Sequence, residues 1–294
     1  NDNDVRPLML AVLNRSESMV GRLLEAGADP NIGRESAVMT AAHAGNPKVM
    51  ALLLAHGGSA NATEPVRGQT ALMWAAAEGH PEVLRLLIKA GANVHASTNQ
   101  VEESPDARMY SFLLGGRNPD FPSPKASINA NDFTALLFAV RNGNVASIRH
   151  LLDAGADVNT TTADGMSALL LATVRGWPSV AHLLLEHGAD PNLSGAGYTA
   201  LHWAAGSWET ELTVASITPN RDHEWARLAG LTEGKVELVK ALLDHGADPN
   251  ARIGQTPARV GSTKNTPLGE LEGASAFLLA AMAGESEVMR LLVD

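Results

Sequence analysis

The sequence predicts an all-α fold, a solenoid of stacked helix pairs with projecting hairpin or turn fingers, and three observations predict it. A Leu-Leu-x-x-Gly string, with Ile88 for the second leucine in the third copy, places its glycine at Gly27, Gly57, Gly91, Gly155, Gly188 and Gly246, and a further Leu291-Leu292 pair stands near the end. Most of these glycines precede an Ala-Asp-Pro/Val-Asn stretch, as in Ala28-Asp29-Pro30-Asn31, Ala156-Asp157-Val158-Asn159, Ala189-Asp190-Pro191-Asn192 and Ala247-Asp248-Pro249-Asn250. The glycine spacings of 30, 34, 64, 33 and 58 give a period near 33 with two large excesses, which mark insertions and not lost units.

Each unit opens with a short box: Pro7-Leu8-Met9, Ala37-Val38-Met39, Thr70-Ala71-Leu72-Met73, Thr134-Ala135-Leu136-Leu137, Ser167-Ala168-Leu169-Leu170, Thr199-Ala200-Leu201-His202 and Ser275-Ala276-Phe277-Leu278. The Thr or Ser stands where a helix N-cap belongs, the Ala- and Leu-rich run after it favours helix, and a glycine such as Gly79 ends it as a C-cap does. A second helix follows. In residues 80–88 Pro81 sits in the first turn, and Val83, Leu84, Leu87 and Ile88 make one apolar stripe. The Asn- and Asp-rich segment after Gly91 reads as a projecting turn.

With box, central glycine and Gly-Ala-Asp-Val-Asn turn in place, the chain resembles the ankyrin-repeat family across residues 5–95, 131–205 and 234–294. It is read as a single domain over residues 1–294, with repeats at 5–31, 32–61, 62–95, 131–159, 160–192, 193–250 and 251–294. Two departures stand out. Only Pro7 supplies the box proline and only His202 the box histidine, so hydrogen bonding around the other boxes is expected to be weaker or different; and Arg15 occupies the helix-turn glycine position of the first unit, which leaves its C-cap in question.

Insertions fall at residues 97–130, 206–233 and 252–274. The first and third lie on the finger side, the second between the two helices of one unit, where a lengthened helix pair fits best. The first carries Met109-Tyr110-Ser111-Phe112-Leu113-Leu114, an apolar cluster that calls for burial against neighbouring fingers or a partner. Loops on a rigid scaffold commonly carry recognition, so the insertions are read as the seat of individual function, with neutral drift in surface-loop length as the alternative.

Composition removes whole classes of function. The formal charge of −10 and a pI near 5.4 oppose nucleic-acid binding, which needs a basic footprint. The absence of cysteine excludes disulfides, thiolate metal sites and a cysteine nucleophile. The longest apolar run, residues 274–283, falls short of the roughly 18 residues of a membrane helix. No catalytic constellation emerges either. His223-Glu224-Trp225-Ala226-Arg227 begins like a zinc-binding His-Glu-x-x-His helix but ends in arginine, and Gly195-Ala196-Gly197 lacks the third glycine of a dinucleotide loop. No metal and no cofactor is expected. His56, His187 and His245, each one residue before a terminal glycine, read as helix C-cap interactions, and Trp74 and Trp203, at one shared repeat position, read as core.

What the resemblance implies is protein recognition without catalysis, through a concave surface of inner helices and fingers. Positions just before each box and just before each helix-turn glycine should line that surface: Glu35, Gln69, Phe133, Met166 and Tyr198, with His43, Glu78, Arg141, Asn142 and Arg175. Phe133 and Tyr198 are expected as exposed aromatics on finger tips, and Tyr110 and Phe112 join the partner-binding set from the first insertion. Two alternatives remain open: a recognition module of a larger multidomain protein or complex whose chemistry lies elsewhere, and a small-molecule or metal site built by the insertions. The partner is a protein and the chain is expected to continue beyond one or both ends. The finger style resembles exported ankyrin proteins of bacteria, which favours an exported or periplasmic setting over the cytoplasm.

Overall fold

A computed structural model describes residues 6–33, 36–99, 132–162, 165–195, 197–206, 234–254 and 271–293. These form two compact units that divide between the fourth and fifth repeats, after Thr160. In the first unit lie α1 (Pro7–Leu13), α2 (Glu17–Glu25), α3 (Ala37–Ala44), α4 (Pro47–Ala55), α5 (Ala71–Ala77), α6 (Pro81–Lys89), α7 (Ala135–Arg141) and α8 (Val145–Asp153). In the second lie α9 (Ala168–Val174), α10 (Pro178–Glu186), α11 (Ala200–Ala205), α12 (Lys235–Asp244), α13 (Ala276–Ala283) and α14 (Ser286–Leu291). The all-α class expected from the sequence holds. The described residues contain no extended strand, only the isolated antiparallel bridges Thr63–Thr70, Ser97–Thr134 and Thr161–Ser167.

Helices of six to ten residues are too short to persist alone in water, so caps and stacking must hold them. The caps are where the boxes put them. The side-chain oxygens of Ser36, Thr70, Thr134, Ser167, Thr199 and Ser275 each accept the backbone N–H three residues on, a bond worth about 1 kcal/mol per helix. At α1, Arg6 makes no such bond and Pro7 starts the helix instead. The turns into the second helices pass through the left-handed region at Gly45, Gly79, Gly143 and Gly176. Arg15 enters the same region at φ 53°, and its N–H donates to the Val12 carbonyl as that of Gly143 does to Val140, so the turn is preserved without a glycine. Gly45 is needed for a second reason: a Cβ there would lie 2.3 Å from the His80 ring, which packs directly on the turn and hydrogen-bonds the His43 carbonyl.

In the first unit α1, α3, α5 and α7 pack in sequence, and behind them α2, α4, α6 and α8; in the second, α9, α11 and α13 back onto α10, α12 and α14. Leu53, Leu72, Leu84, Leu136 and Leu151 are fully buried in the first core, and Leu170, Leu184, Leu238 and Leu242 in the second. The second helices end as the sequence suggests: the Nδ1–H groups of His56, His187 and His245 donate to the carbonyls of Leu52, Leu183 and Ala241 at 2.9, 2.8 and 2.7 Å.

The finger residues work at two ranges. Locally, Asp29, Asp157, Asp190 and Asp248 each accept the N–H two residues on. Over longer range, Asn31 donates to the Gly57 carbonyl and accepts the Ser59 N–H, Asn61 does the same with Gly91 and Asn93, and Asn192 with Gly246 and Asp248, all at 2.7–2.9 Å. Each such amide locks one finger to the next.

Where the period is broken, the chain is closed at the break. Thr98 donates its N–H to the Phe133 carbonyl and accepts the Phe133 N–H on Oγ1, both at 3.0 Å. Ile253 donates to the Ala274 carbonyl at 2.9 Å and accepts from Gly273 at 2.7 Å. Lys235, largely buried, donates to the Gly206 carbonyl at 3.0 Å and to Glu285 at 2.7 Å. The segments between these necks, with Met109–Leu114 and His223–Arg227, lie outside the described residues.

Candidate recognition surface

On the first unit the residues just before the helix-turn glycines come together. The His43 Nδ1 lies 3.3 Å from Glu78 Oε1, with side chains 55% and 41% exposed. Trp74, half-buried on α5, meets the His43 ring edge to face at 5.2 Å. The Arg141 guanidinium lies over the Phe138 ring at 5.3 Å, and the Asn142 amide donates to the Ala77 carbonyl at the end of α5. An exposed ion pair of this kind adds less than about 1 kcal/mol to stability. The cluster spans three successive repeats, with Phe138 and the Arg141 Nε buried and the His43 and Glu78 side chains open to solvent. On the second unit Arg175 is half-buried at the end of α9.

The positions just before the boxes behave differently, and this corrects the expectation of exposed finger-tip aromatics. Phe133 is 0% exposed, Met166 6% and Tyr198 8%. Each stands one residue ahead of a helix cap and turns inward. Phe133 packs on Phe138 at 5.1 Å and Tyr198 on Trp203 at 5.8 Å, both pairs five residues apart, the geometry of a hydrophobic staple between the residue before the cap and the fourth residue of the helix. Met166 is held by its own N–H to Thr162 Oγ1 and by its carbonyl, which accepts the Thr162 N–H. Gln69 is half-buried and donates its N–H to Glu64. Glu35, Tyr110 and Phe112 lie outside the described residues.

Trp74, expected in the core, is half-buried. Its equivalent Trp203 is buried, stapled by Tyr198, whereas Trp74 has Gln69 in the stapling position and stays partly open. That polar residue five places earlier was the available signal.

The box histidine is structural. His202 Nδ1 accepts the Thr199 N–H at 3.1 Å, so the ring proton sits on Nε2 and donates to the Ala251 carbonyl at 3.0 Å; burial holds its pKa below the ordinary 6.5. In the third repeat a thioether takes this place, Met73 Sδ accepting the Thr70 N–H at 3.4 Å. Among the described residues no group of three or more side chains is arranged to hold a metal ion, and no helix is long and apolar enough to cross a membrane.

Comparison with known proteins agrees with this geometry. The ankyrin-repeat family model of three copies matches residues 8–98 and 136–216, and a single ankyrin repeat matches residues 223–253. The chain is 33% identical over 170 residues to the ankyrin repeat and SAM domain-containing protein 6 of Danio rerio, covering 54% of this chain and 21% of that protein. It is 37% identical over 136 residues to the mitochondrial disaggregase of Bos taurus, covering 42% of this chain and 20% of that one. The chain thus spans about a fifth of the length of these relatives. The crystal structure of the ankyrin repeat domain of Bcl-3 superposes with a TM-score of 0.61 at 23% identity, covering 99% of each chain, which shows the shared fold. Repeats of this fold are general protein-interaction modules and are typically non-enzymatic. From its repeated boxes, turns and fingers and from the family model that covers more than half of it, this chain belongs to the ankyrin-repeat family.

Proposed function

We propose that the chain is a non-catalytic scaffold that recognises a protein partner along the helix-turn edge of its first unit, with His43, Trp74, Glu78, Arg141 and Asn142 as contact residues. One observation carries this reading: three successive repeats place an aromatic ring, a guanidinium and an exposed ion pair along one edge, and the ion pair contributes little to folding. Trp and Arg are the residues most enriched at interface hot spots. Arg175 and the insertion residues Tyr110 and Phe112 extend the proposed contact set, and the exported bacterial setting remains part of the proposal. Affinity capture from the source organism with the full chain, repeated with His43→Ala, Trp74→Ala and Arg141→Ala combined, tests it. Loss of the captured proteins with unchanged helical circular dichroism is expected; capture of the same proteins by the triple variant overturns the reading.

A second reading, in which this surface serves chemistry carried by other domains of a larger protein, is supported by the relatives, whose matched stretches are 21% and 20% of their length. Fusing the captured partner to a reporter and assaying the chain with and without flanking sequence separates the two.

A further inference from the structure

We propose that copies of this chain associate head to tail, the seventh repeat of one stacking on the first repeat of the next, so that the contact made between neighbouring repeats within the chain is repeated between chains. This goes beyond recognition along the helix-turn edge and uses other residues.

The repeats themselves show which positions face which neighbour. Four places after the helix-turn residue, Val49, Val83, Leu238 and Val288 are buried, whereas Met19 of the first repeat is 47% exposed. Four places after the cap of the first helix, Thr40, Phe138, Trp203 and Leu279 are buried and Trp74 is half-buried, whereas Leu10 is 47% exposed. Positions that open in the first repeat are covered elsewhere by the repeat before. The seventh repeat shows the converse. Two places after the cap, Val38, Leu72, Leu169 and Leu201 are buried, whereas Phe277 is 37% exposed. One place further on, Met39, Met73 and Leu170 are buried and Leu278 is 47% exposed. Five places after the turn, Met50, Leu84 and Val239 are buried and Met289 is only half-buried. These positions are covered elsewhere by the repeat that follows.

The turns carry the same relation. The Cβ side of Gly45 is filled by His80 and that of Gly79 by Asn144, each the residue after the next repeat's turn glycine. At Gly284 nothing among the described residues stands within 4 Å of that side, and the residue a first repeat would bring there is Ser16, small enough to enter. The two open faces are therefore the two halves of one interface. Leu10 and Met19 stand in register with Phe277, Leu278 and Met289, and none of these positions carries a charge that stacking would bury. A repeat of this kind cannot bury its apolar face alone, and a second copy supplies the missing neighbour with the same residue types in the same places. Because the halves differ, each copy keeps one unused face after the first contact, and assembly passes beyond the dimer.

Sedimentation velocity of the full chain over a concentration series is the test, and the mass should rise with concentration past that of a dimer. Leu10→Asp with Met19→Asp, or Phe277→Asp with Leu278→Asp, should each hold the chain as a monomer with unchanged helical circular dichroism. An equimolar mixture of the two variants should form a one-to-one dimer and nothing larger, because it contains a single intact pair of faces. A second measurement changes each face at one position only. The chain has no cysteine, so Leu10→Cys in one copy and Leu278→Cys in another should be joined by a short bis-maleimide, and two copies of the same variant should not. A chain that is monomeric at every concentration overturns the proposal, whatever else then covers the faces. So does a mixture of the aspartate variants that stays monomeric, or association that either of them retains alone. If an aspartate pair unfolds the chain the cross-link decides, and equal yields between like and unlike copies overturn the proposal.

Discussion

His202 Nε2 donates to the carbonyl of Ala251 across 49 residues of sequence, tying the first helix of the sixth repeat to the finger that follows its second helix. Holding both bonds requires the neutral ring, because Nδ1 accepts the Thr199 N–H and a protonated ring has no acceptor left. Burial lowers the folded-state pKa below 6.5, so the unfolded chain binds the proton more readily. The contribution is fully present above the unfolded value near 6.5 and is lost as pH falls from there through the folded pKa. Thermal melts should therefore show wild type losing stability below pH 6.5 more steeply than His202→Gln. Parallel curves would show that the ring does not couple to folding.

Ser147, 0% exposed on α8, has an Oγ without a hydrogen-bond partner among the described residues. Its backbone N–H is capped by Asn144 and does not depend on the hydroxyl. Ser147→Ala should stabilise the chain by about 1 kcal/mol, since an unsatisfied buried hydroxyl carries a desolvation penalty of that order. The midpoint of urea unfolding is the measurement.

Asn61 links the second finger to the third through two bonds. Asn61→Ala should cost roughly 1 to 2 kcal/mol, the low part of the range because the site is exposed, and should raise hydrogen exchange at Asn93 before it affects α5.

Phe133→Ala should lower stability by about 3 kcal/mol or more, the usual loss for emptying a buried aromatic site, and should leave affinity per folded molecule unchanged. Denaturation read alongside binding distinguishes this from the interface role that its place ahead of the box first suggested.

The repeat frame was legible because its signals are local. Thr70, Thr134 and Thr199 cap the helices they precede, and Gly79 and Gly143, each nine residues after its cap, turn the chain out of the first two. What escaped was contact between positions that the reading treated separately. Phe133 with Phe138, and Tyr198 with Trp203, are five apart, so an apolar residue ahead of the cap bends back onto the helix instead of facing solvent. The Asn- and Asp-rich segments read only as projecting turns; the aspartates do serve nearby backbone, but Asn31, Asn61 and Asn192 reach the next repeat, and in the last case an insertion stretches that reach to 54 residues and hides the period. Arg15 took a backbone conformation that residue type alone argues against. Of the proposed surface, His43, Glu78, Arg141 and Asn142 follow from position within the repeat, while the partial openness of Trp74 depends on Gln69, a residue outside its own helix.

The bonds between Thr98 and Phe133 uncouple the length of what lies between them from the register of the repeats on either side. Loop closure becomes only about 0.6 kcal/mol harder with each doubling of length. The stretch between Asn99 and Asp132 is thus a natural grafting point, at which a foreign loop, an epitope or a whole small domain is expected to be exchangeable while the helix pairs on both sides keep their seating.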